Sequence, residues 1–171
     1  MTPVLLSMLL FFGWSKADRP KVGDPAPEFE AQATGGKTIR LSDLRGQWVV
    51  LYFYPKSFTP GCTAEACTLR DAYEQIQSLD AIILGVSLDN LETQERFKAK
   101  YKLPFDLISD DDKKIARAYG VLGIGGLYAR RVTFLIDPEG RIAHIFEEVD
   151  PARHDHEVYE MLKKLQATAK S

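Results

Sequence analysis

The residues of this sequence best suited to chemistry are its two cysteines, Cys62 and Cys67. Cys62 follows a predicted strand and loop, and it stands at the start of a helix predicted over residues 62–79. The N–H groups and the dipole at a helix N-terminus favour the negatively charged thiolate form of a cysteine. The position of Cys62, more than its residue type, therefore predicts a nucleophile.

The spacing of the two cysteines limits what they can do together. If both lie on one ideal helix, their Cα atoms are about 8–9 Å apart, whereas a disulfide cannot be built beyond about 7 Å without moving the backbone. A disulfide between Cys62 and Cys67 therefore requires local unwinding, which fits a catalytic cycle better than a permanent cross-link. A structural disulfide in an exported protein and a pair of inert buried thiols stay open as alternatives.

Zinc binding is poorly served by this pair of cysteines. A C-x4-C spacing supplies two ligands, and a structural zinc ion takes about four. The histidines are His144, His154 and His156, near the other end of the chain. We interpret His154 and His156, near the start of the last predicted helix, as solvent-facing residues and not as a ligand pair.

The surroundings of Cys62 supply part of what a thiolate needs to attack an O–O bond. Such an attack needs a hydrogen-bond donor for the peroxide oxygen and a positive charge for the departing oxygen. Thr59, three residues before Cys62, offers a hydroxyl group that can donate to the thiolate or the peroxide. Pro55 and Pro60 stiffen the loop and can shield the sulfur from water. Arginine is the natural cation, but the local sequence does not single out which arginine.

The elements that must position these residues alternate between strand and helix. Residues 48–54 (WVVLYFY) and 81–87 (AIILGVS) are continuous apolar runs, typical of strands covered on both faces. The alternation predicts an α/β fold with a mostly parallel sheet flanked by helices. Further predicted elements are a hairpin around Gly35-Gly36, helices over residues 91–101, 113–119 and 151–167, and strands over residues 105–108, 131–136 and 141–147.

The bulk composition indicates one globular domain. The chain has 171 residues, of which 45% are hydrophobic and 27% are charged, and its formal charge is −2. This length suits a single domain. The charge provides no basic field for attracting nucleic acid, so nucleic acid is not an expected partner.

The N-terminal residues differ from the rest of the chain. Pro3 to Trp14 is almost wholly apolar, and Ser15-Lys16-Ala17 follows as a small-x-small pattern. This stretch resembles a secretory signal peptide, although no Lys or Arg precedes the apolar run, and it is short for a membrane span of about 20 residues. We therefore divide the chain into residues 1–17, a signal peptide or N-terminal anchor, and a domain over residues 18–171. The protein is expected to be periplasmic or membrane-anchored, or cytoplasmic if the true start lies downstream.

The residues around Cys62 resemble the active-site motif of the peroxiredoxins, Pro55-x3-Thr59-x2-Cys62. The extension TPGCTAEAC, from Thr59 to Cys67, is similar to the Q-type branch, also called the bacterioferritin comigratory protein group. The resemblance covers nearly everything after residue 17. It includes PAPEFE near the start, WVVLYFYP before the loop, and RVTFLIDPEGRI from Arg131 to Ile142.

This resemblance implies a thioredoxin-like fold, with a central mixed, mostly parallel sheet flanked by helices, and a thiol-dependent peroxidase. Cys62 would be the peroxidatic cysteine, oxidised to a sulfenic acid. Cys67 would be the resolving cysteine, which closes an intramolecular disulfide. Arg131 stands where the family keeps its catalytic arginine. Arg131 and Thr59 would orient the peroxide and stabilise the transition state, with Pro55 shielding the sulfur.

Glu65 and Arg130 each have a structural interpretation beside a functional one. Glu65 matches a recurrent position of the family, and a solvated carboxylate on the helix surface is the alternative. Arg130 adjoins Arg131 but should point to the other side of a strand, because side chains alternate. Catalysis is therefore assigned to Arg131 alone.

The resemblance also implies the partners of the reaction. They are a hydroperoxide substrate and a thioredoxin-like or other thiol reductant. No metal or organic cofactor is implied, because sulfur carries the redox chemistry. Since an intramolecular cycle needs no second subunit and monomers are common in the Q-type group, we expect a monomer, with no membrane span once the leader is removed.

Two features depart from the Q-type pattern. A leader is unusual in that branch, so a cytoplasmic thioredoxin is not assumed as the reductant. The segment from Gly123 to Arg131 looks shorter than in many Q-type relatives, and its glycines indicate a compact, flexible turn near the active site.

Two other functions stay open beside the peroxidase. A thiol–disulfide oxidoreductase of the thioredoxin type uses a C-x-x-C spacing, which C-x4-C with an upstream threonine does not match. A non-enzymatic scaffold or holdase on a thioredoxin-like fold would use the two cysteines as a structural disulfide. Peroxide consumption with a thiol reductant separates both from the peroxidase.

Overall fold

The computed structural model describes residues 19–170, so the predicted leader, residues 1–17, lies outside the described residues. Seven strands and five α-helices are found in this part of the chain. The strands are β1 (Glu30–Ala33), β2 (Lys37–Arg40), β3 (Trp48–Phe53), β4 (Ala81–Ser87), β5 (Asp106–Ser109), β6 (Val132–Ile136) and β7 (Ile142–Phe146). The helices are α1 (Pro60–Asp71), α2 (Tyr73–Gln77), α3 (Leu91–Tyr101), α4 (Lys114–Ala118) and α5 (His154–Ala169).

The seven strands form one mixed sheet in the order β2-β1-β5-β4-β3-β6-β7. The pairs β3–β4 and β4–β5 are parallel, whereas β1–β2, β1–β5, β3–β6 and β6–β7 are antiparallel. The predicted mixed sheet flanked by helices is confirmed. The expectation that parallel pairing predominates is wrong, because β1–β2 and β6–β7 are hairpins whose short connections force antiparallel neighbours.

The central strand β3 leads into the cysteine loop. All six of its residues are buried, as the apolar run predicts. Its last residue, Phe53, pairs with Val86 of β4 and with Val132, the first residue of β6. The C-terminal end of β3 and the N-terminal end of β6 are therefore neighbours, which brings the loop before Cys62 next to Arg131.

Helices cover both faces of the sheet. On one face, Val50 and Tyr52 of β3 pack with apolar residues of α1, α2, α3 and α5. On the other face, Leu51 and Phe53 pack with α4 and with a 3₁₀ turn, Leu41–Leu44. No helix among residues 19–170 is long and apolar enough to cross a membrane.

The helix predicted over residues 62–79 is in fact two helices. The first, α1, begins at Pro60, whose fixed φ suits the first helical position. Ala72 leaves helical geometry with φ −94° and ψ 1°, and α2 begins after it. Cys62 is thus the third residue of α1, and Cys67 lies near its middle.

Candidate active site

Cys62 lies in the first turn of α1, ahead of the helical hydrogen-bond ladder. The first bond of that ladder runs from Thr63 N to Thr59 O, at 2.9 Å. The N–H groups of Gly61 and Cys62 therefore have no partner within the helix. The Cys62 side chain packs beside Tyr52 and is 1% exposed. The sulfur thus lies at the positive end of the helix and is almost completely shielded from water.

Arg131 reaches Cys62 from the start of the neighbouring strand. Its Nη2 group donates to Cys62 Sγ at 3.3 Å, and its Nη1 group donates to Glu65 Oε1 at 2.7 Å. Burial alone would lower the pKa of Arg131, but Glu65 and Cys62 raise it above the ordinary value. The guanidinium group therefore stays charged beside the sulfur. Arg130 is exposed, as the alternation of side chains predicts.

Glu65 is fully buried, so the alternative of a solvated surface carboxylate is wrong. Residues 62, 65, 66 and 69 form the inward face of α1, and this periodicity carries the carboxyl group into the core. Burial raises the pKa of Glu65 to about 7, against the opposing effect of Arg131. Its second oxygen, Oε2, has no hydrogen-bond partner among the described residues. Glu65 therefore binds Nη1 of Arg131 through Oε1, while its Oε2 makes no hydrogen bond among the described residues.

His154 lies behind Glu65 and is fully buried, so the interpretation of His154 as solvent-facing is wrong. The last helix begins at His154 instead of near residue 151, and Val158 and Leu162 follow at intervals of four residues on its buried face. That spacing is the signal in the sequence that could have located His154 in the core. His156 is exposed, as expected.

The ring nitrogens of His154 are both engaged. Nε2 is 2.8 Å from the hydroxyl oxygen of Thr133, and Nδ1 is 3.2 Å from Oε2 of Glu157. Burial lowers the pKa of His154 to about 4. The imidazole is therefore neutral at neutral pH, and it connects β6 and α5 behind the Glu65 carboxyl group.

Thr59 precedes α1, and its hydroxyl proton is already engaged. Oγ1 donates to the carbonyl oxygen of Lys56 at 2.7 Å. In this arrangement the proton is directed to Lys56 and not to Cys62, and the lone pairs of Oγ1 can accept the O–H of a hydroperoxide. Pro55 is half-buried in the same loop, and its role in shielding the sulfur stays a prediction.

A buried polar cluster holds the loop between β3 and α1. Ser57 N donates to Asp89 Oδ2 at 2.8 Å, and the Tyr54 hydroxyl group donates to Gln94 Oε1 at 2.5 Å. Phe58 follows with a left-handed φ of 68°, and its ring packs 5.1 Å from an aromatic ring of α3. These contacts from α3 and from the connection between β4 and α3 fix the path of the chain into Cys62. The cysteine motif gave no signal for them.

Gly61 lets the guanidinium group of Arg131 approach the first turn of α1. A Cβ atom built on Gly61 would lie 3.1 Å from Arg131 Nη2, which is closer than the optimal separation of about 3.5–4.0 Å between non-bonded carbon atoms. No separate role for this glycine could be predicted from the sequence. The structure shows that the missing side chain clears the space between Arg131 and the helix.

The segment after Gly123 lies beside the active-site loop, as expected. It forms a 3₁₀ turn, Ile124–Gly126, and Lys56 Nζ is 6.0 Å from the centroid of the Tyr128 ring. The side chains of Phe58, Leu127 and Tyr128 are exposed. The two loops therefore expose apolar side chains in the neighbourhood of the site, beside the charged Lys56 and Arg130.

Cys67 is half-buried on α1, and the thiols of Cys62 and Cys67 are both free. Since both residues are helical, the condition under which a disulfide needs unwinding is met. An ideal helix separates their Cα atoms by about 8–9 Å. Formation of this disulfide would therefore have to open α1 locally.

These groups suit the attack of a thiolate on an O–O bond. Cys62 supplies the sulfur, Arg131 a fixed positive charge, and Thr59 a hydroxyl acceptor. Glu65 accepts a hydrogen bond from the other Nη group of the arginine. Within residues 19–170, no cluster of three or more His, Cys, Asp or Glu side chains is arranged to hold a metal ion.

Comparison with known proteins agrees with this chemistry. The AhpC/TSA family model matches residues 22–145. The chain is 42% identical over 151 residues to Peroxiredoxin Bcp of Bacillus subtilis, an alignment that covers 85% of this chain and 96% of the relative. It is 32% identical to peroxidoxin BcpB of Mycobacterium tuberculosis, with a TM-score of 0.79 and coverage of 85% and 98%. A Xanthomonas campestris bacterioferritin comigratory protein, studied for alkyl peroxide reduction, is 34% identical, with a TM-score of 0.76 and coverage of 80% and 90%.

Proposed function

This chain belongs to the AhpC/TSA family, as a peroxiredoxin of the Q type, and we propose that it reduces hydroperoxides at Cys62 and completes its cycle through Cys67. It is a thiol-dependent peroxidase. The observation that supports the role of Cys62 is its 3.3 Å contact with the charged Nη2 group of Arg131 in the first turn of α1. That contact stabilises negative charge on the sulfur and, during reaction, on the departing oxygen.

The first step oxidises Cys62. The thiolate attacks the terminal peroxide oxygen, so an S–O bond forms as the O–O bond breaks. Sulfur gives up two electrons and becomes a sulfenic acid, and the departing oxygen takes up a proton and leaves as water or an alcohol. Arg131 supports the developing charge, and the lone pairs of Thr59 Oγ1 hold the O–H of the incoming peroxide.

The second step joins the two cysteines. The Cys67 thiol attacks the sulfenic sulfur of Cys62, an S–S bond forms, and the hydroxyl group leaves as water with the proton of Cys67. A dithiol reductant of the thioredoxin-like class then restores both thiols by exchange and is itself oxidised to a disulfide. The support for this step is that Cys67 is a free thiol about 1.4 turns further along the same helix.

The proposed substrates are hydrogen peroxide and organic hydroperoxides. The side chains of Phe58, Leu127 and Tyr128, in the two loops beside the site, are 41%, 69% and 48% exposed. Such apolar surroundings suit the hydrocarbon part of an organic hydroperoxide. The alkyl peroxide reduction studied for the Xanthomonas campestris relative favours the same substrates.

Intact mass spectrometry before and after one equivalent of hydrogen peroxide tests the cycle. We expect the loss of two hydrogens, with peptide mapping linking Cys62 to Cys67. Cys62→Ser should abolish peroxide reduction, and Cys67→Ser should gain oxygen on Cys62 and depend on an external thiol for recycling. Substantial peroxidase activity in Cys62→Ser, or normal cycling of Cys67→Ser with a thioredoxin, would refute the corresponding role.

A turnover assay separates the peroxidase from a thioredoxin-type oxidoreductase. The peroxidase consumes peroxide when a thiol reductant is supplied and does not reduce the disulfides of insulin. Insulin reduction without peroxide consumption would replace the proposal with the oxidoreductase. Absence of both activities would favour the non-enzymatic scaffold or holdase.

We further propose that the protein acts as a monomer outside the cytoplasm. The apolar run from Pro3 to Trp14 and the small residues before residue 18 support export, and the intramolecular cycle requires no second subunit. Cell fractionation with N-terminal sequencing should place a chain that starts near residue 18 in the periplasm. An intact chain in the cytoplasm would contradict export, and a dimer mass in light scattering would contradict the monomer.

A further inference from the structure

A chain of buried polar groups continues inward from Cys62 and Arg131. Arg131 Nη1 donates to Glu65 Oε1 at 2.7 Å, and Glu65 Oε2 lies 4.0 Å from His154 Nε2. The side chains of Glu65 and His154 are both 0% exposed. Thr133, which is also 0% exposed, meets His154 Nε2 at 2.8 Å. The groups therefore link the cysteine to the sheet and to α5 through the protein interior.

The contacts of His154 identify its tautomer. Glu157 is partly exposed and accepts through Oε2, so the proton of the neutral ring lies on Nδ1. Nε2 then bears a lone pair, and the Thr133 hydroxyl group donates to it. Nε2 also lies 4.0 Å from Glu65 Oε2, which has no hydrogen-bond partner among the described residues. His154 is therefore an acceptor placed behind the Glu65 carboxyl group.

From this geometry we infer that His154 is a positioning residue of the peroxide site: its neutral ring keeps the Glu65 carboxyl group turned toward Arg131, and thereby keeps the guanidinium group on Cys62. The inference rests on the proposed function, for which Cys62 is the reacting group. The polar contacts of His154 are with Thr133, Glu157 and Glu65 and not with the sulfur, so it acts through Glu65.

The fixed position of the ring lets it act in this way. An aromatic ring held at both nitrogens, with Nε2 4.0 Å from Glu65 Oε2, blocks rotation of the carboxyl group away from Arg131. Since burial lowers the pKa of His154 to about 4, the ring is neutral near pH 7 and brings no second positive charge beside Arg131.

Few charged or titratable groups lie around the His154 ring. The aromatic ring of Phe146 on β7 packs against it at 5.3 Å and brings none. The charged and titratable groups around the ring are Glu65 from α1, Arg131 from the start of β6, and Asp155 and Glu157 from its own helix. A change at His154 should therefore be felt mainly through Glu65 and Arg131.

The test compares His154→Leu, His154→Gln and the exposed control His156→Leu in the full chain. In His154→Leu we expect kcat/KM for hydrogen peroxide to fall about tenfold, because the Arg131 guanidinium group is held less well beside Cys62 Sγ. The pH of half-maximal alkylation of Cys62 by iodoacetamide should rise by about one unit. His154→Gln, which can restore a polar atom near Nε2, should recover most of both losses, and His156→Leu should change neither.

Other outcomes decide against the inference. Unchanged kcat/KM and alkylation in His154→Leu, whatever its melting temperature, would reduce His154 to core packing. If His154→Leu does not fold, Thr133→Val removes the hydroxyl contact from the sheet side with the same shape. It should shift both measurements in the same direction, and wild-type values would again overturn the role.

The alkylation measurement keeps this inference separate from the proposed function. It follows the reactivity of Cys62 without any peroxide. Failure of the wild-type protein to reduce peroxide would contradict the proposed function. The alkylation profiles would still decide whether His154 determines the position of the Arg131 guanidinium group beside Cys62.

Discussion

Gly61, in the first turn of α1, lies next to the guanidinium group of Arg131. A Cβ atom there would lie 3.1 Å from Arg131 Nη2, the nitrogen that donates to Cys62 Sγ at 3.3 Å. Since the nitrogen is the end of a flexible side chain, it can yield by a few tenths of an ångström. Any movement away from residue 61 alters its contact with the sulfur.

Gly61→Ala should therefore lower kcat/KM for hydrogen peroxide about three- to tenfold without loss of stability. Alanine favours a helix over glycine by about 0.5–1 kcal/mol, so the melting temperature should stay the same or rise. Steady-state kinetics and thermal melts measure the two effects. The reverse exchange at an exposed position of α1, Ala64→Gly, is the control and should lower the melting temperature alone. Full activity in Gly61→Ala would show that the close approach is unimportant.

Some residues of the site could be predicted from the sequence, and others could not. Cys62, Thr59 and Pro55 lie within eight positions of one another, so their grouping was visible as a motif. Arg131 could be found only through the family resemblance. His154 was missed because its contact with Glu65 joins residues 89 positions apart and depends on the packing of α5. The spacing of His154, Val158 and Leu162 indicates a buried position, but the pairing of His154 with Glu65 has no local pattern.

At the scale of the elements, the predictions succeeded where one periodicity dominates. The two apolar runs became β3 and β4, and the helix predicted over residues 91–101 is α3. The break at Ala72 was not predicted because no proline or glycine marks it. The balance of parallel and antiparallel pairs was also missed, because hairpin turns near Gly35 and Gly140 determine it more than the alternation of strand and helix does.

Helix α1 is the element that the proposed cycle must deform. Both cysteines are helical, and their ideal separation of about 8–9 Å exceeds the disulfide limit of about 7 Å. Hydrogen bonds of α1 must therefore break before the sulfurs can join. In the proposed cycle, opening the first turns of α1 would also withdraw Cys62 and Glu65 from Arg131, so the oxidised protein would lose the contact between Arg131 and the sulfur.

Hydrogen exchange should reveal this opening. After one equivalent of hydrogen peroxide, amides of α1 from Thr63 to Asp71 should exchange at least about tenfold faster, while those of β3 and β4 stay protected. Mass spectrometry with peptide resolution measures both regions at once. Cys67→Ser treated in the same way is the control, since it cannot form the disulfide and should keep α1 protected. A disulfide-bonded protein with full protection of α1 would contradict the required unwinding.

At the scale of the whole molecule, Glu65 and His154 act on stability in opposite directions. Burial raises the pKa of Glu65 from 4.5 to about 7. The unfolded chain releases this proton first, so stability falls as pH rises from 4.5 to about 7. Burial lowers the pKa of His154 from 6.5 to about 4. The unfolded chain binds that proton first, so stability is lost as pH falls from 6.5 to about 4. Between pH 4.5 and 6.5 the two effects largely cancel.

Removing one member of the pair should reveal its own contribution in the difference from wild type. Glu65→Gln keeps an acceptor for Arg131 but cannot ionise, so its free energy of unfolding relative to wild type should rise with pH between 4.5 and 7. The rise should be at most roughly 3 kcal/mol, since one pKa unit corresponds to about 1.4 kcal/mol.

Chemical denaturation of the reduced proteins at pH 5 and pH 8 measures this change, and any pH-independent cost of the substitution cancels in the comparison. The contribution of Asp110, whose pKa burial raises to about 6, is common to both proteins and cancels as well. Glu160→Gln, at an exposed position of α5, controls for the loss of one negative charge. An equal difference from wild type at both pH values would mean that Glu65 is ionised throughout this range. The Arg131 side chain would then be paired with a permanent carboxylate as well as with the sulfur.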